Sequence, residues 1–293
     1  MPDSDTVHRP PRYGDDPVSG AAVNHIRIGG RTLHAVSDGY LAMRPAMVGP
    51  PDRPTAGYNA LAAEYGIPRL PLGCFFLPGP PNVLIDTGLG PLDFGGDGRL
   101  VGGRLLDALA ALDVRPEQVD IVALTHLHAD HSGNVGDLAT GAPTFPSAQV
   151  LVGAADWDYF IRQQASPVPL GEHITSALGE LDRQGRVVRL DGDVDIAPGV
   201  RRIAAPGHTP GHAFFAVHDA GRQVMLLGDG MYCPQQLDHL DWSVSFDVDP
   251  ALARRTRERL VDDLRATGSG AVGSHFPELT VATPPPEAAD RAG

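Results

Sequence analysis

Residues 125–134 read THLHADHSGN. His126, His128, Asp130 and His131 crowd into six positions, directly behind the apolar run DIVALT (Asp120–Thr125). A short apolar run bounded by polar residues reads as a buried strand. At the end of an extended strand, residues two apart project to the same side, so His126 and His128 can face one point. The chain must then turn through Asp130 and His131, which can face a second point nearby. Metal coordination needs lone pairs held about 2.0–2.2 Å from one centre, which favours short, rigid turns. The stretch therefore offers two ligands to each of two cations, and this spacing rarely arises without a metal.

Working outward, three further ligand types stand at the ends of apolar runs. His208 follows Val200–Ala205 in APGHTPGH, Asp229 follows Val224–Leu227 in LLGDGMY, and His275 follows the strand AVGS (Ala271–Ser274). Alone, a histidine at a strand end or an aspartate in a Gly-Asp-Gly turn is an ordinary residue. Beside a half-filled coordination set they become candidates. Five histidines and two aspartates suffice for two metals that share one bridging carboxylate. His8, His25, His34, His173, His218 and His239 read as ordinary histidines.

The same alternation of strand and helix runs through both halves. HIRIG, Arg31–Ser37, GCFFL and Asn82–Asp86 read as strands, and Leu105, Leu106, Leu109 and Leu112 have helical spacing. In the second half AQVLVG reads as a strand, and Ala154–Gln164 and residues 171–183 read as helices. Strands follow near Val187–Leu190, Val200–Ala205, Ala213–Val217 and Val224–Leu227. A late helix is capped by Asp249, carries Pro250 in its first turn and ends at Gly268. Residues 44–71 hold many prolines and read as a loop-rich excursion. The pattern predicts an α/β fold, a four-layer αββα sandwich of two mixed sheets with helices outside. Residues 1–21 read as a flexible arm, 22–283 as one domain and 284–293 as a flexible tail.

Composition narrows the function. The formal charge is −13 and every one of the 23 basic residues is arginine. An acidic chain is poorly suited to neutralising phosphates, so no nucleic-acid partner is expected, and without lysine there is no Schiff-base chemistry. Cys74 and Cys233 form no CxxC pair and read as two buried thiols. The N-terminal segment has no apolar core of a signal peptide and no run is long enough to span a bilayer, so the expected compartment is cytoplasmic, with no membrane partner.

H-x-H-x-D-H (His126–His131), then G-H-T-x-G-H (Gly207–His212), G-D-G (Gly228–Gly230) and a late S-H (Ser274–His275) resemble the metallo-β-lactamase-fold hydrolase superfamily. The likeness runs from about residue 23 to 282 and reaches furthest toward the lactonase branch, which includes the acyl-homoserine lactonases. It implies an αββα sandwich with metals at one sheet edge. It implies that His126, His128 and His208 hold one cation, that Asp130, His131 and His275 hold the other, and that Asp229 bridges. Asp86, in DTG, matches an aspartate just outside the ligands, and His212 is expected there too. Two divalent ions are implied, zinc first, although nitrogen and oxygen ligands also suit iron, manganese or cobalt. In the lactonase branch a tyrosine at the position of Tyr232 donates to the substrate carbonyl. Between His128 and Asp130 stands Ala129, where the best-known lactonases carry an aromatic residue. A homodimer is plausible by the same resemblance.

Two divalent cations, two carboxylates and a bridging hydroxide sum to a charge of roughly +1. Such a centre generates hydroxide near neutral pH, because zinc lowers the pKa of bound water to about 7. The expected reaction is hydrolysis of a small-molecule ester or lactone by attack of that hydroxide, with Asp130 shuttling a proton to the leaving oxygen. Thioesterases and aryl or phosphotriester hydrolases of this fold are the alternatives.

Overall fold

The computed structural model describes residues 23–66, 68–96 and 98–286. The arm expected at 1–21 and all of the expected tail beyond 286 lie outside the described residues. The first half holds β1 (Val23–Ile28), β2 (Arg31–Ala42), β3 (Val48–Gly49), α1 (Ala56–Tyr65), β4 (Arg69–Leu77), β5 (Val83–Ile85), β6 (Asp93–Phe94), β7 (Leu100–Val101), α2 (Leu105–Ala111), β8 (Ile121–Ala123) and α3 (Ala129–Ser132). There follow β9 (Gln149–Gly153), α4 (Ala154–Asp156), α5 (Glu172–Arg183), β10 (Val187–Leu190), β11 (Val194–Ala197), β12 (Val200–Ala204), β13 (Ala213–Asp219), β14 (Arg222–Leu226), β15 (Ser243–Val244), α6 (Pro250–Thr267) and β16 (Gly270–Val272).

Apart from the pair β3 and β15, the strands form two mixed sheets. One has the order β10-β9-β8-β5-β4-β2-β7-β6, with β1 on β2, and the other has the order β11-β12-β13-β14-β16. Side chains alternate across a strand with period two, and here the alternation separates two cores. Phe75 and Leu77 of β4, Val83 and Ile85 of β5, Ala123 of β8 and Leu151 of β9 face a core shared with β13 and β14. Cys74, Phe76, Leu84, Val122, Val150 and Val152 face the opposite way, onto Leu105 and Leu109 of α2 and Ile174, Leu178 and Leu181 of α5. Leu260, Val261 and Leu264 of α6 cover the second sheet. Helix, sheet, sheet and helix follow in that order, the four-layer sandwich that the periodicity predicted. Cys74 and Cys233 are buried and unpaired. Among the described residues no helix is long and apolar enough to cross a membrane.

The late helix is built as its sequence suggests. The Asp249 carboxylate accepts from Leu252 N at 2.9 Å, Pro250 opens the first turn, and Gly268 closes the last at φ 63°. The excursion at 44–71 is different from its reading. Its prolines lie at both ends, and between them TAGYNALAAEYG folds as α1, while Arg69–Pro71 already belongs to β4. Helix-forming alanine and leucine prevail where the proline count suggested loop. The stretch beginning at Ala154 also departs from a plain helix: after α4 the backbone widens into a π-helical segment, Trp157–Arg162.

A third apolar cluster lies beside the sandwich. It joins Met43, Met47, Val48, Leu61, Leu70 and Leu72 to Tyr232, Cys233, Trp242 and Val244. β3 pairs antiparallel with β15, and Ser245 N donates to Met47 O at 2.9 Å, which ties residues 43–49 to residues 243–245. We call this region the cap.

Candidate metal centre

Strand direction brings the candidate ligands together. β5 and β8 are parallel in one sheet, and β14 and β16 are parallel in the other. β12 and β14 are both antiparallel to β13, so they also run the same way. Asp86, the 126–131 turn, His208, Asp229 and His275 follow the C-terminal ends of these five strands.

There the seven candidates form two sets that share Asp229: His126, His128, His208 and Asp229, and Asp130, His131, Asp229 and His275. In the first, His128 Nδ1 lies 2.9 Å from His126 Nε2 and 3.1 Å from His208 Nε2. Asp229 Oδ2 is 3.8 Å and 3.4 Å from the Nε2 atoms of His126 and His208. In the second, Asp229 Oδ1 is 3.0 Å from His131 Nε2 and 3.2 Å from His275 Nε2. Asp130 Oδ2 is 3.7 Å and 3.6 Å from the same two nitrogens. Tetrahedral ligands about 2.05 Å from one cation would stand roughly 3.3 Å apart, so both sets have the spacing of a coordination shell.

The polar accounting fits a cation as well. His131 Nε2, His275 Nε2 and both Asp229 oxygens are buried and make no aligned hydrogen bond. Their approaches to one another are close in distance but wrong in angle. Buried polar atoms are nearly always paired, and four orphans converging on one spot are what a pair of bound cations would satisfy. Asp130 and His128 keep partial exposure, which leaves the centre open on that side.

The outward nitrogens of His126, His131, His208 and His275 are occupied. Asp86 is strained into the left-handed region at φ 59° and is fully buried. Its Oδ1 accepts from Thr125 N at 2.8 Å, and its Oδ2 lies 2.8 Å from His131 Nδ1. Thr125 Oγ1 donates to Asp86 and receives His126 Nδ1 at 3.0 Å. His275 Nδ1 donates to Pro71 O at 2.8 Å, and His208 Nδ1 lies 3.1 Å from Asp247 Oδ1. Each such bond fixes a tautomer and aims Nε2 inward, as partners behind metal-ligating histidines do. His212 does not reach the centre. Its Nδ1 donates to Ala205 O at 3.1 Å and its Nε2 accepts from Asp229 N at 3.2 Å, so it anchors the Asp229 backbone. Gly228 makes that contact possible: at φ 48°, a Cβ there would fall 2.7 Å from Thr125.

Charges differ between the two sets when no metal is bound. Burial, with His131 adding, holds His126 well below its ordinary pKa, and burial with His208 takes His128 to about 3. These imidazoles are neutral, the form that binds metal. For His131 burial acts in the same direction, but Asp229, Asp130 and Asp86 outweigh it and raise the pKa well above normal. Asp229 and Asp130 do the same for His275. Burial would raise Asp229, yet His131 and His275 hold it well below the carboxylate range. Cations would replace protons on His131 and His275 and meet His126 and His128 already neutral.

Tyr232 is buried, its ring 4.6 Å from that of His275 and 6.2 Å from that of His208. Burial, then Asp229 and Asp130, raise its pKa well above normal, so it remains a phenol. Trp242 and Phe246 part ways. Trp242 is buried in the cap, whereas Phe246 is exposed under the Arg44 guanidinium, 5.9 Å from its ring centre. Several supporting residues escaped the sequence reading. Asp247 stands behind His208. Asp156 accepts from Leu127 N, Thr209 Oγ1 and Gly211 N at 3.2, 2.9 and 2.6 Å, clamping the two histidine turns together. Asp38 accepts from Leu89 N, Gly90 N, Arg104 N and Leu105 N and holds the loop after Asp86. None carries a short-range signature, because each partner lies tens of residues away.

An αββα sandwich with two adjoining His/Asp sets at one sheet edge defines a class. Residues 74–268 match the metallo-beta-lactamase superfamily, and the chain belongs to it. Among its relatives is an N-acyl homoserine lactonase of a Bacillus species, 26% identical over 202 residues, which cover 63% of this chain and 73% of the relative. The crystal structure of hydrolase AbOPH superposes with a TM-score of 0.74 at 25% identity, over 92% of this chain and 99% of that one. AidC, a dizinc quorum-quenching lactonase solved with a product homoserine, has the same fold, with a TM-score of 0.71 at 21% identity over 88% and 91%.

Proposed function

We propose that this chain is a dinuclear metal-dependent hydrolase that opens the ester ring of small lactones. The observation that carries the reading is Asp229, buried, with one oxygen turned to each histidine set and neither hydrogen-bonded. His126, His128 and His208 would hold one divalent cation and Asp130, His131 and His275 the other, with Asp229 between them. Zinc suits such a set of nitrogen and oxygen ligands. Bound there, the cations supply Lewis acidity, which acidifies water near neutral pH and stabilises charge on a carbonyl oxygen.

The chain's own groups do the rest. Tyr232 donates its phenolic hydrogen to the carbonyl oxygen, where negative charge develops. Asp130, which faces the open side, takes a proton from the attacking water and passes it to the leaving oxygen as the ring C–O bond breaks. The lactonase relative supports the substrate class, and the acidic surface argues against nucleic acid.

The test is elemental analysis of the zinc-loaded protein with a turnover panel of acyl-homoserine lactones, aryl thioesters and aryl phosphotriesters. Two zinc ions per chain and fastest turnover on lactones are expected. Fewer than two ions would end the dinuclear reading. Faster turnover of thioesters or phosphotriesters would reassign the substrate while leaving the centre in place.

A further inference from the structure

Arg257 is the largest side chain fully buried among the described residues. Burying a guanidinium is expensive unless it is paired, and its neighbours on that face of α6, such as Ala253 and Leu260, are apolar. Its Nη1 donates to Asp247 Oδ2 at 3.4 Å, while Nε and Nη2 have no hydrogen bond. A leucine or methionine would pack α6 at this position without that penalty. The arginine therefore points to a task beyond packing.

Asp247 shows what the task is. Its Oδ2 also accepts from Val244 N at 3.2 Å, and its Oδ1 lies 3.1 Å from His208 Nδ1. A carboxylate oxygen only accepts, so Nδ1 carries the proton and Nε2 turns its lone pair toward His128 and Asp229. The backbone continues the grip. Val248 N donates to His208 O at 3.0 Å, Asp249 N to Gly207 O at 2.9 Å, and Thr256 Oγ1 to Pro206 O at 2.7 Å. Gly207, at φ 137°, would place a Cβ 2.3 Å from Ala253 N, so only glycine permits this docking. Asp86 stands behind His131 in the same way. Each ligand set thus has one histidine backed by a carboxylate.

We propose that Asp247 and Arg257 are a positioning pair that aims His208 and tunes its hold on the first cation, which makes the start of α6 part of the metal centre. The pair rests on the dinuclear reading given above. Arg257 keeps the carboxylate in place from one side while Asp247 orients the imidazole from the other. Loss of either member weakens one cation and leaves the other.

Metal-free protein titrated with cobalt(II) against a chromophoric chelator tests this, with the visible ligand-field spectrum as a second readout. Wild type is expected to bind two cobalt ions. Asp247→Asn, which preserves shape, and Arg257→Met should each weaken one ion by roughly 10–100-fold and shift its bands, leaving the other ion as it was. Gly268→Ala strains the far end of the same helix, where glycine stands at φ 63°; it should lower the melting temperature and leave both affinities and the spectrum unchanged. Wild-type affinity and bands in Asp247→Asn overturn the pair, as does an equal loss in Gly268→Ala, which would make the effect one of helix stability. Should Arg257→Met fail to fold, Asp247→Asn decides. A wild type that binds fewer than two ions overturns the dinuclear reading first and the pair with it.

Discussion

The metal centre and the cap lie side by side and are held together by opposite physics. In the centre, each orienting contact is a directional hydrogen bond from an imidazole to a buried acceptor: His126 to Thr125, His131 to Asp86, His208 to Asp247, His275 to Pro71. In the cap, the side chains of Met43, Met47, Leu61, Trp242 and Val244 meet by apolar packing. Directional bonds tolerate almost no change in chemistry, whereas apolar contacts tolerate exchange at conserved volume. Changes in the centre should therefore abolish reaction without altering preference. Changes in the cap should alter stability and preference without abolishing reaction.

The largest effect that comparison predicts is at Asp229. Asp229→Asn keeps the volume but removes the charge and one of the two oxygens that Asp229 divides between the sets. We expect loss of about one metal per chain and a fall in kcat/KM of at least ~1,000-fold, on the order of 4 kcal/mol of transition-state stabilisation. Relative rates across lactones of different acyl length should stay as in wild type. Full metal content with normal turnover in this variant would remove the bridge.

In the cap, Trp242→Ala should do the reverse. The indole is buried, stacks on His239 at 4.5 Å and lies in the cluster that contains Tyr232. Its removal leaves a cavity, and aromatic-to-alanine changes in cores cost about 3–5 kcal/mol. Thermal unfolding should register that loss, with metal content unchanged and the preferred acyl length shifted. A variant as stable as wild type would show that the cap contributes little to the fold.

The same contrast explains what could be read in advance. His126, His128, Asp130 and His131 sit in one turn, so spacing alone exposed them, and the apolar strands before His208, Asp229 and His275 marked those ends. The layers followed from period-two strands and the capped helix at Asp249. Asp247, Asp156 and Asp38 were silent because each acts on backbone or imidazole groups brought near only by folding. The cap was misjudged for a related reason. Proline counting described its borders, while α1 between them is held by a cluster that spans Met43 to Val244, and local sequence does not encode such partners.

A pH experiment sharpens the comparison further. Burial raises Asp156 to about 6, against an ordinary 3.8, although Gly211 N, Thr209 Oγ1 and Leu127 N pull it the other way. A carboxyl raised by folding gives most stability when protonated. Its contribution is full below about pH 4, declines as pH rises toward 6 and is flat above. A shift of roughly two units is worth on the order of 2–3 kcal/mol. In metal-free protein, the stability of wild type relative to Asp156→Asn should fall by that amount between pH 4 and pH 6.5 in denaturant titrations. A constant difference would mean that the three hydrogen bonds fully offset burial.

Tyr232 belongs to both regions, since its ring packs in the cap while it stands 4.6 Å from His275, and it gives the smallest and sharpest test. Tyr232→Phe keeps the ring and deletes only the hydroxyl. If the hydroxyl serves the reaction, kcat should fall about 10–100-fold, about 1.4–2.7 kcal/mol, because a donor aimed at developing charge acts mainly in the transition state. KM, metal content and melting temperature should hold steady. If the ring serves only the cap, turnover should be that of wild type, and the carbonyl would need another donor. Measuring kcat and melting temperature on one preparation separates the two, because the first follows the hydroxyl and the second follows the ring.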